Sequence, residues 1–352
     1  MLTRVVPAAW LERVMNDALA ARDVAPSHRR EVVEGVLFAS ARGLETHGVP
    51  LFRTYLDELA LGRAKLKPRF RYTQRRAAIA HLDADGALGI VAAHEATRTA
   101  TRLAQTNGIG AVVVANSNHF GAASIYTEAM SREGLVGLAL SNSDALVVPA
   151  NGRAPRLGTN PISMAAQGEG SDLFCADLAT SQGSFLRSLA MRASGHALPA
   201  GVLVDDDGQD AAHSGGEPTA LLPLGGHKGQ CLGMMVSILC ALLAGEPFDW
   251  ELPNLFEGPF DQPRRIAHLM LAIDVSAVAD ADTFRSRLSQ YLQAFRDTPA
   301  RPGTQVAAPG DDEASVARTR AREGIPIAGR DYDFLCGLEA AAGDGHEGRA
   351  LP

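Results

Sequence analysis

The chain has 352 residues, of which 46% are hydrophobic and 21% are charged, an ordinary balance for a globular protein. Its net charge of -7 offers no cationic face to a polyanion, and only 5% of its residues are aromatic, so we expect no nucleic-acid partner. A chain of this length favours two lobes over a single core.

The apolar segments are too short for a membrane protein. The longest run, 232–244, falls short of the roughly 20 residues that a transmembrane helix needs, so we predict a buried helix there and no membrane partner. No apolar signal segment follows Met1, and no two cysteines have CxxC spacing. We therefore expect a cytoplasmic protein whose four cysteines are reduced core residues: Cys175, Cys231, Cys240 and Cys336.

Apolar residues recur at helical spacing in three stretches near the N-terminus. Proline suits the first turn of a helix, and Pro7 and Pro50 begin two of these stretches, while Ser27 can cap the remaining one. We predict helices over 7–24, from Ser27 to near Gly43, and over 50–61, with residues 44–49 as a connector. Residues 1–75 are expected to form an N-terminal helical segment.

From residue 76 to residue 278, apolar β-branched runs alternate with helical patterns, which is typical of an α/β domain. We predict helices over 91–106 and 122–130 and a long helix that follows Gly229. The predicted strands cover 77–82, 111–115, 135–140, 164–166, 173–178, 202–204 and 266–275. Residues 279–340 are expected to form a C-terminal helical segment, with helices over 280–296 and 313–323, that packs with the N-terminal segment. A disordered tail is expected over 343–352.

Two of these strands end in polar side chains. The strand 111–115 is followed by the turn 116–121, which contains His119, and the strand 135–140 is followed by Ser141-Asn142-Ser143-Asp144. Amides, hydroxyls and an imidazole beside a helix N-terminus are typical of a polar ligand site. The glycines Gly108 and Gly110 precede a strand instead of following one, so the dinucleotide fingerprint of Rossmann folds is absent.

A glycine-rich segment, 225–229, precedes the long apolar helix. It brings two glycines, His227 and Lys228 to a helix N-terminus, where free N–H groups stabilise phosphate. The alternative is an ordinary loop with a solvated Lys228, and these residues alone do not choose between the two. The run 205–207 lacks the spacing of a calcium loop, so we interpret it as a solvated turn and expect no metal site.

Seven short motifs, taken in order, resemble those of the type-2 malate/L-lactate dehydrogenase family. They are Thr-His-Gly-Val (46–49), Ser-Asn-His-Phe-Gly (117–121), Gly-Thr-Asn-Pro (158–161), Asp-Leu-Ala-Thr-Ser (177–181), Gly-Gly-His-Lys-Gly (225–229), Pro-Gly-Asp (309–311) and Gly-Ile-Pro-Ile (324–327). The resemblance extends over roughly residues 5 to 335. Relatives in this family include ureidoglycolate dehydrogenase, sulfolactate dehydrogenase, 2,3-diketogulonate reductase and the piperideine/pyrroline-2-carboxylate reductases.

The resemblance implies a homodimer with a non-Rossmann nicotinamide-binding fold and NAD or NADP as cofactor. The substrate would lie between the Thr-His-Gly connector, Thr159 and the nicotinamide. The resemblance also makes the phosphate role of Lys228 the preferred interpretation. The residues implied to contact the cofactor are His119, Phe120, Gly121, Ala122, Ala123, Asp177, Leu178, Ala179, His227, Lys228, Pro309, Gly310 and Asp311.

Hydride transfer to a ketone or imine requires a proton donor, and an imidazole can give and retake a proton near neutrality. By resemblance His47 is that donor and Thr46, in place of the family's common serine, orients it, while His119 is the alternative acid/base. In most relatives an arginine that clamps a substrate carboxylate follows this motif within two residues. Here Pro50 and Leu51 occupy those positions, which leaves Arg53 as the nearest candidate.

The segment after Ser181 also departs from the family pattern. Phe185 and Leu186 make it bulkier and more apolar, and Arg187 stands where relatives have a lysine. These changes predict an atypical substrate, larger or less anionic than malate or lactate.

The predicted function is an NAD(P)-dependent oxidoreductase that interconverts a 2-hydroxy acid, or a related hydroxy compound, with its 2-oxo partner. Two alternatives remain open: a reductase of cyclic imino acids, and a family member that has lost catalysis and acts as a binding subunit.

Overall fold

The computed structural model describes residues 3–344. Near the N-terminus, strand β1 (Thr3–Val6) is followed by helices α1 (Ala8–Ala20), α2 (Pro26–Ala41) and α3 (Pro50–Leu61), and a 3-10 turn, Glu45–His47, precedes α3. Proline occupies the first turn of α2 and α3, where its missing N–H costs nothing. Glycine ends α3 because Gly62 adopts φ +92, a left-handed conformation that favours glycine.

The central part of the chain forms a seven-stranded sheet with helices between its strands. Its elements are β2 (Arg71–Arg76), β3 (Ile79–Asp83), α4 (Gly89–Asn107), β4 (Ile109–Ser117), α5 (Ser124–Arg132), β5 (Leu135–Ser141), β6 (Ile162–Gln167) and β7 (Leu173–Leu178), joined later by β10 (Ile266–Asp274). Between β7 and β10 lie α6 (Phe185–Ala193), β8 (Leu203–Val204), α7 (Ala211–Ser214), β9 (Ala220–Leu221) and α8 (His227–Ser237), which continues as a π-helical turn, Ile238–Leu242.

The strand order of the sheet is β2-β3-β4-β10-β5-β6-β7. Among the described strands, β3 and β4 form its one parallel pair, and α4 connects them; the other neighbours in the sheet are antiparallel. Strand β10, late in the chain, pairs with both β4 and β5 and so holds the polar ends of those two strands side by side. This mixed α/β sheet positions the candidate site.

The C-terminal part returns to the N-terminal helices. Strand β11 (Ile325–Ala328) pairs with β1, and helix α11 (Gly329–Asp344) packs on α1, while α10 (Asp311–Glu323) contacts α2. Helix α9 (Ala281–Arg296) differs from our expectation because it lies beside β7, at the far edge of the sheet. Its Arg296 and Ser289 bond to residues next to β7, which explains that placement. The proposed division into three segments stays a prediction.

Two expectations from the sequence are wrong. The run 232–244 is helical but not buried, because five of its apolar side chains are 48% to 59% exposed: Met234, Met235, Ile238, Leu242 and Leu243. Of the cysteines only Cys240 is buried, whereas Cys231 is exposed and the remaining two are half-buried. Strands β1, β2 and β11 and helices α6 and α11 were not predicted.

Within residues 3–344, no helix has the length and apolar character needed to cross a bilayer. The predicted tail begins too early, since α11 extends to Asp344. The rest of that predicted tail, 345–352, lies outside the described residues.

Candidate active site

Two histidines from distant parts of the chain meet where the N-terminal helices contact the sheet. His47 ends the 3-10 turn before α3, and His119 follows β4; their rings are stacked with centroids 5.7 Å apart. Thr46 Oγ1 lies 3.0 Å from His47 Nδ1, as expected for a hydroxyl that orients the ring. Tyr55, one and a half turns into α3, brings its hydroxyl within 2.9 Å of His119 Nδ1. The structure therefore joins both predicted catalytic histidines in one cluster.

The turn that carries His119 is fixed by close contacts with the start of α4 and the residues before it. Gly89, at the start of α4, approaches it so closely that a Cβ at this position would lie 2.0 Å from the Asn118 carbonyl oxygen. The Asn118 side chain is buried and donates to the Ala87 carbonyl. These contacts leave His119 little freedom to move.

Behind the turn, the buried ring of His268 stacks on Phe120 with centroids 4.7 Å apart. Ser141 Oγ donates its proton to the Asn142 carbonyl, so this oxygen can only accept from His268 Nδ1. Because the neutral ring then carries its proton on Nδ1, its Nε2 accepts from Ser117 Oγ. Burial lowers the pKa of His268 to about 3, which keeps this ring neutral. His268 thus links the ends of β4 and β5 to Phe120, the residue after His119.

The two site histidines differ in their protonation. The Gly121 N–H donates to His119 Nδ1, so Nδ1 is an acceptor that also takes the Tyr55 hydroxyl, and the neutral ring carries its proton on Nε2. Burial lowers the pKa of His119 well below its ordinary value, and His47 lowers it further. Burial also lowers the pKa of His47, but Asp177 opposes this shift. A carboxylate therefore partly offsets the effect of burial at His47 but not at His119.

A cavity of about 560 Å³ begins at Asp177 and runs between β7 and the start of α10. Asp177 accepts from the Ser124 N–H at the N-terminus of α5, and its field reaches His47. Gly310 and Asp311 line the same cavity. Gly310 adopts φ +98, and a Cβ added to it would lie 3.2 Å from the Cβ of Cys175, so this position favours glycine. The structure thus brings together two of the four segments expected to hold the cofactor.

Thr159 belongs to a separate polar cluster at the ends of β5 and β6. Its N–H donates to Ser143 Oγ, and the neighbouring Asn160 side chain donates to the buried carboxylate of Asp249. Asp249 also accepts from the Gly158 N–H and Ser237 Oγ. The Gly-Thr-Asn-Pro motif is therefore fixed by a buried acid that the sequence did not single out.

His227 and Lys228 are exposed at the start of α8, as predicted. Gly225 and Gly226 both adopt positive φ with open space above them, whereas a Cβ at Gly229 would lie 2.3 Å from the Leu224 nitrogen. A bare backbone at a helix N-terminus beside an ammonium fits a phosphate group. His227 Nε2 lies 3.4 Å from Cys231 Sγ.

The residues 205–207 form a turn with internal hydrogen bonds, since Asp205 Oδ1 accepts from the N–H groups of Asp207 and Gln209. In the part of the chain that the structure describes, no three His, Cys, Asp or Glu side chains are grouped as a metal site would require.

Comparison with known proteins shows the family of this chain. A family model described as malate/L-lactate dehydrogenase matches residues 6–336. The chain belongs to the malate/L-lactate dehydrogenase family. The resemblance found in the motifs is thereby confirmed, and the protein is an oxidoreductase of mixed α/β fold.

Named relatives in this family have different substrates and coenzymes. The chain is 31% identical to ureidoglycolate dehydrogenase (NAD(+)) of Escherichia coli O157:H7, over 92% of this chain and 93% of that protein. It is also 31% identical to (2R)-3-sulfolactate dehydrogenase (NADP(+)) of Chromohalobacter salexigens, over 86% of this chain and 91% of that protein. The solved structure of delta1-piperideine-2-carboxylate reductase from Pseudomonas syringae pvar. tomato has a TM-score of 0.83 and 29% identity, over 95% and 99% of the two chains.

For this malate/L-lactate dehydrogenase family member, two expected substrate contacts are not part of the histidine cluster. The guanidinium of Arg53 lies over the Phe334 ring of α11, 4.0 Å from its centroid, because α3 turns this position away from Tyr55. Leu51, one of the two residues that follow the Thr-His-Gly-Val motif, is buried. Arg187 is exposed in the first turn of α6. The predicted roles of Arg53 and Arg187 in substrate binding stay predictions.

Buried charges near Tyr55 were missed by sequence reasoning. Glu58, one turn after Tyr55 on α3, lies 3.6 Å from Arg63, and neither side chain is exposed to solvent. Arg63 donates to the carbonyls of Asn254, Leu255, Glu257 and Pro259, whereas both Glu58 oxygens lack a hydrogen-bond partner. The only hint in the sequence was a charged residue on the helix face that carries Tyr55.

We expect Glu58 to make the protein less stable as the pH rises. Burial raises the pKa of Glu58 from its ordinary value of 4.5 to about 7, despite the attraction of Arg264 and Arg63. Since the folded state binds this proton more tightly, the stability present below pH 4.5 is lost as the pH rises to about 7, by up to about 3 kcal/mol.

The Glu58→Gln variant should lack this loss. The difference in free energy of unfolding between variant and wild type should therefore shift in favour of the variant as the pH rises from 4.5 to 7. Urea unfolding at several pH values measures the difference. Glu34→Gln, on the exposed side of α2, is the control and should follow the wild type. A constant difference between wild type and Glu58→Gln at all pH values would contradict the assignment.

Proposed function

We propose that this protein is an NAD(P)-dependent dehydrogenase that interconverts a 2-hydroxy acid, or a related hydroxy compound, with its 2-oxo partner. The observation that carries the proposal is the stacked pair His47 and His119 beside a cavity that starts at Asp177. Its membership of a family of hydroxy-acid dehydrogenases supports the reaction class.

The nicotinamide, when bound, supplies the hydride acceptor for oxidation of the hydroxyl carbon. In that direction His47 takes the hydroxyl proton, and Asp177 favours the resulting imidazolium by its charge. Thr46 keeps the His47 ring oriented. Neutral His119 offers its Nε2–H as a hydrogen-bond donor to the substrate oxygen, because Tyr55 and Gly121 occupy Nδ1. In reduction the proton returns from His47.

The cofactor residues of this proposal are those expected by resemblance: 119–123, 177–179, 227–228 and 309–311. The open backbone at Gly225 and Gly226 beside Lys228 supports a phosphate contact there. Thr159 is proposed to contact the substrate. The non-Rossmann character of the fold is supported by a sheet in which antiparallel pairs predominate among the described strands.

Reduction of cyclic imino acids is a second candidate because the likeness to the piperideine-2-carboxylate reductase structure extends over 95% of this chain. The same His47 would then supply the proton that makes the imine reactive. Parallel assays of 2-oxo acids and cyclic imines separate the two reactions. Loss of catalysis is disfavoured because both histidines, Asp177 and Lys228 are present.

His47→Asn tests the proton transfer. Asparagine keeps a polar group of similar reach but cannot carry the proton, so kcat should fall by about 100-fold or more while the Kd for the coenzyme stays nearly constant. Nicotinamide absorbance gives the rate, and calorimetric titration gives the Kd. His213→Asn, in the exposed helix α7, is the control with normal turnover. Near-normal turnover of His47→Asn would refute the role of His47.

A homodimer is also proposed. Helix α8 and its π-helical extension expose an apolar face, which includes Met235 and Ile238, and the stacked aromatic pair Phe248 and Trp250 is exposed as well. Several large apolar side chains exposed on one helix are typical of a protein–protein interface. A second copy of the chain is the simplest partner, in agreement with the resemblance.

The double variant Met235→Glu/Ile238→Glu should convert the dimer to a monomer, because it places two charges in the apolar face. Light scattering coupled to size exclusion measures the molar mass. Val278→Glu, at a position that is 78% exposed outside this face, is the control and should remain dimeric. A monomeric wild type, or a double variant that remains dimeric, would contradict the proposal.

A further inference from the structure

The cavity between β7 and α10 contains more carboxylates than guanidiniums. Three arginines line it: Arg42, Arg296 and Arg318. Six acidic side chains line it: Glu128, Asp172, Asp177, Asp311, Asp312 and Glu313. Its lining is therefore acidic.

Two of the arginines are already neutralised by carboxylates of the cavity. Arg42 pairs with Glu128 at 2.8 Å. Arg296 bridges Asp172 and Asp311, each at 2.8 Å. These pairs account for three of the six carboxylates.

The remaining acidic groups face little positive charge. Asp312 and Glu313 stand in the first turn of α10, and the exposed Arg318 lies about one and a half turns further along the same helix. The thiol of Cys175, inside the cavity, experiences this field: burial raises its pKa to about 12, and Glu128 and Asp177 act in the same direction. A negative charge added beside Asp312 and Glu313 would therefore be repelled.

The cavity is long enough for the adenosine of a dinucleotide. Asp177 marks the end near His47, and Asp172 marks the end near the start of α10; five residues of extended strand separate them by about 16 Å. With the nicotinamide beside the histidines, an adenosine in this cavity would have its ribose near the first turn of α10.

Resting on the proposed function, we propose that this cavity holds the adenosine half of the coenzyme and that Asp312 and Glu313 select NAD over NADP. A carboxylate accepts hydrogen bonds from the ribose hydroxyls of NAD. NADP carries a phosphate on the ribose 2′-oxygen, with a charge of about -2, which these carboxylates repel. Named relatives include both coenzyme types, so membership of the family does not decide this choice.

Calorimetric titration of the full-length protein with NAD+ and NADP+ tests the proposal without an assay of turnover. The wild type should bind NAD+ about ten-fold or more tightly than NADP+, and added salt should reduce this ratio. The double variant Asp312→Asn/Glu313→Gln should bring the two Kd values within about three-fold, mainly by tighter binding of NADP+.

The control Glu323→Gln/Asp333→Asn changes the net charge equally but lies outside the cavity, at the end of α10 and on α11. It should keep the ratio of the wild type. Equal or tighter binding of NADP+ by the wild type, or an unchanged ratio in the Asp312→Asn/Glu313→Gln variant, would overturn the inference while the dehydrogenase proposal stands. If neither dinucleotide binds, both proposals fail.

Discussion

The contact on which the site depends is the hydrogen bond between the Tyr55 hydroxyl and His119 Nδ1, together with the stacking of His47 on His119. Tyr55 belongs to the apolar core of the N-terminal helices, and Phe120, next to His119, belongs to the core of the sheet. Each core alone holds half of the cluster. The histidine cluster is therefore assembled only when the two cores are packed together.

Burial of this junction also determines its electrostatics. Removing imidazoles from water disfavours their charged forms, so both histidines are mainly neutral unless a carboxylate compensates. Asp177 provides that compensation for His47 but not for His119. One imidazole is thereby suited to carry a proton and the other to donate a hydrogen bond, a division of roles that the spacing of the two motifs could not show.

Local patterns predicted much of this fold. The apolar faces of α1 to α4 and the apolar runs of β4, β5, β6 and β7 follow from short-range periodicity and turn residues. Strand β2 was missed because its residues, Arg-Tyr-Thr-Gln-Arg-Arg, are exposed at the sheet edge and show no apolar alternation. Strands β1 and β11 were missed because each is only four residues long and its partner lies at the other end of the chain.

The site was predicted in part for the same reason. Motifs located His47, His119, Asp177 and Lys228, but Tyr55 was read only as one more apolar residue of α3. The buried pair Glu58–Arg63 and the exposed face of α8 depend on what packs against them, which a single chain sequence does not encode locally. Arg53 shows the opposite case. An arginine close to the Thr-His-Gly-Val motif suggested a substrate contact, but its position on α3 places the guanidinium over the Phe334 ring.

The most direct test of the whole arrangement is a crystal structure of the protein with bound NAD+. We expect the nicotinamide ring against His47 and His119, the phosphates near Lys228, and the adenosine in the cavity between β7 and Gly310. Electron density for the dinucleotide elsewhere on the chain, with the histidine pair out of reach of the nicotinamide ring, would contradict this account.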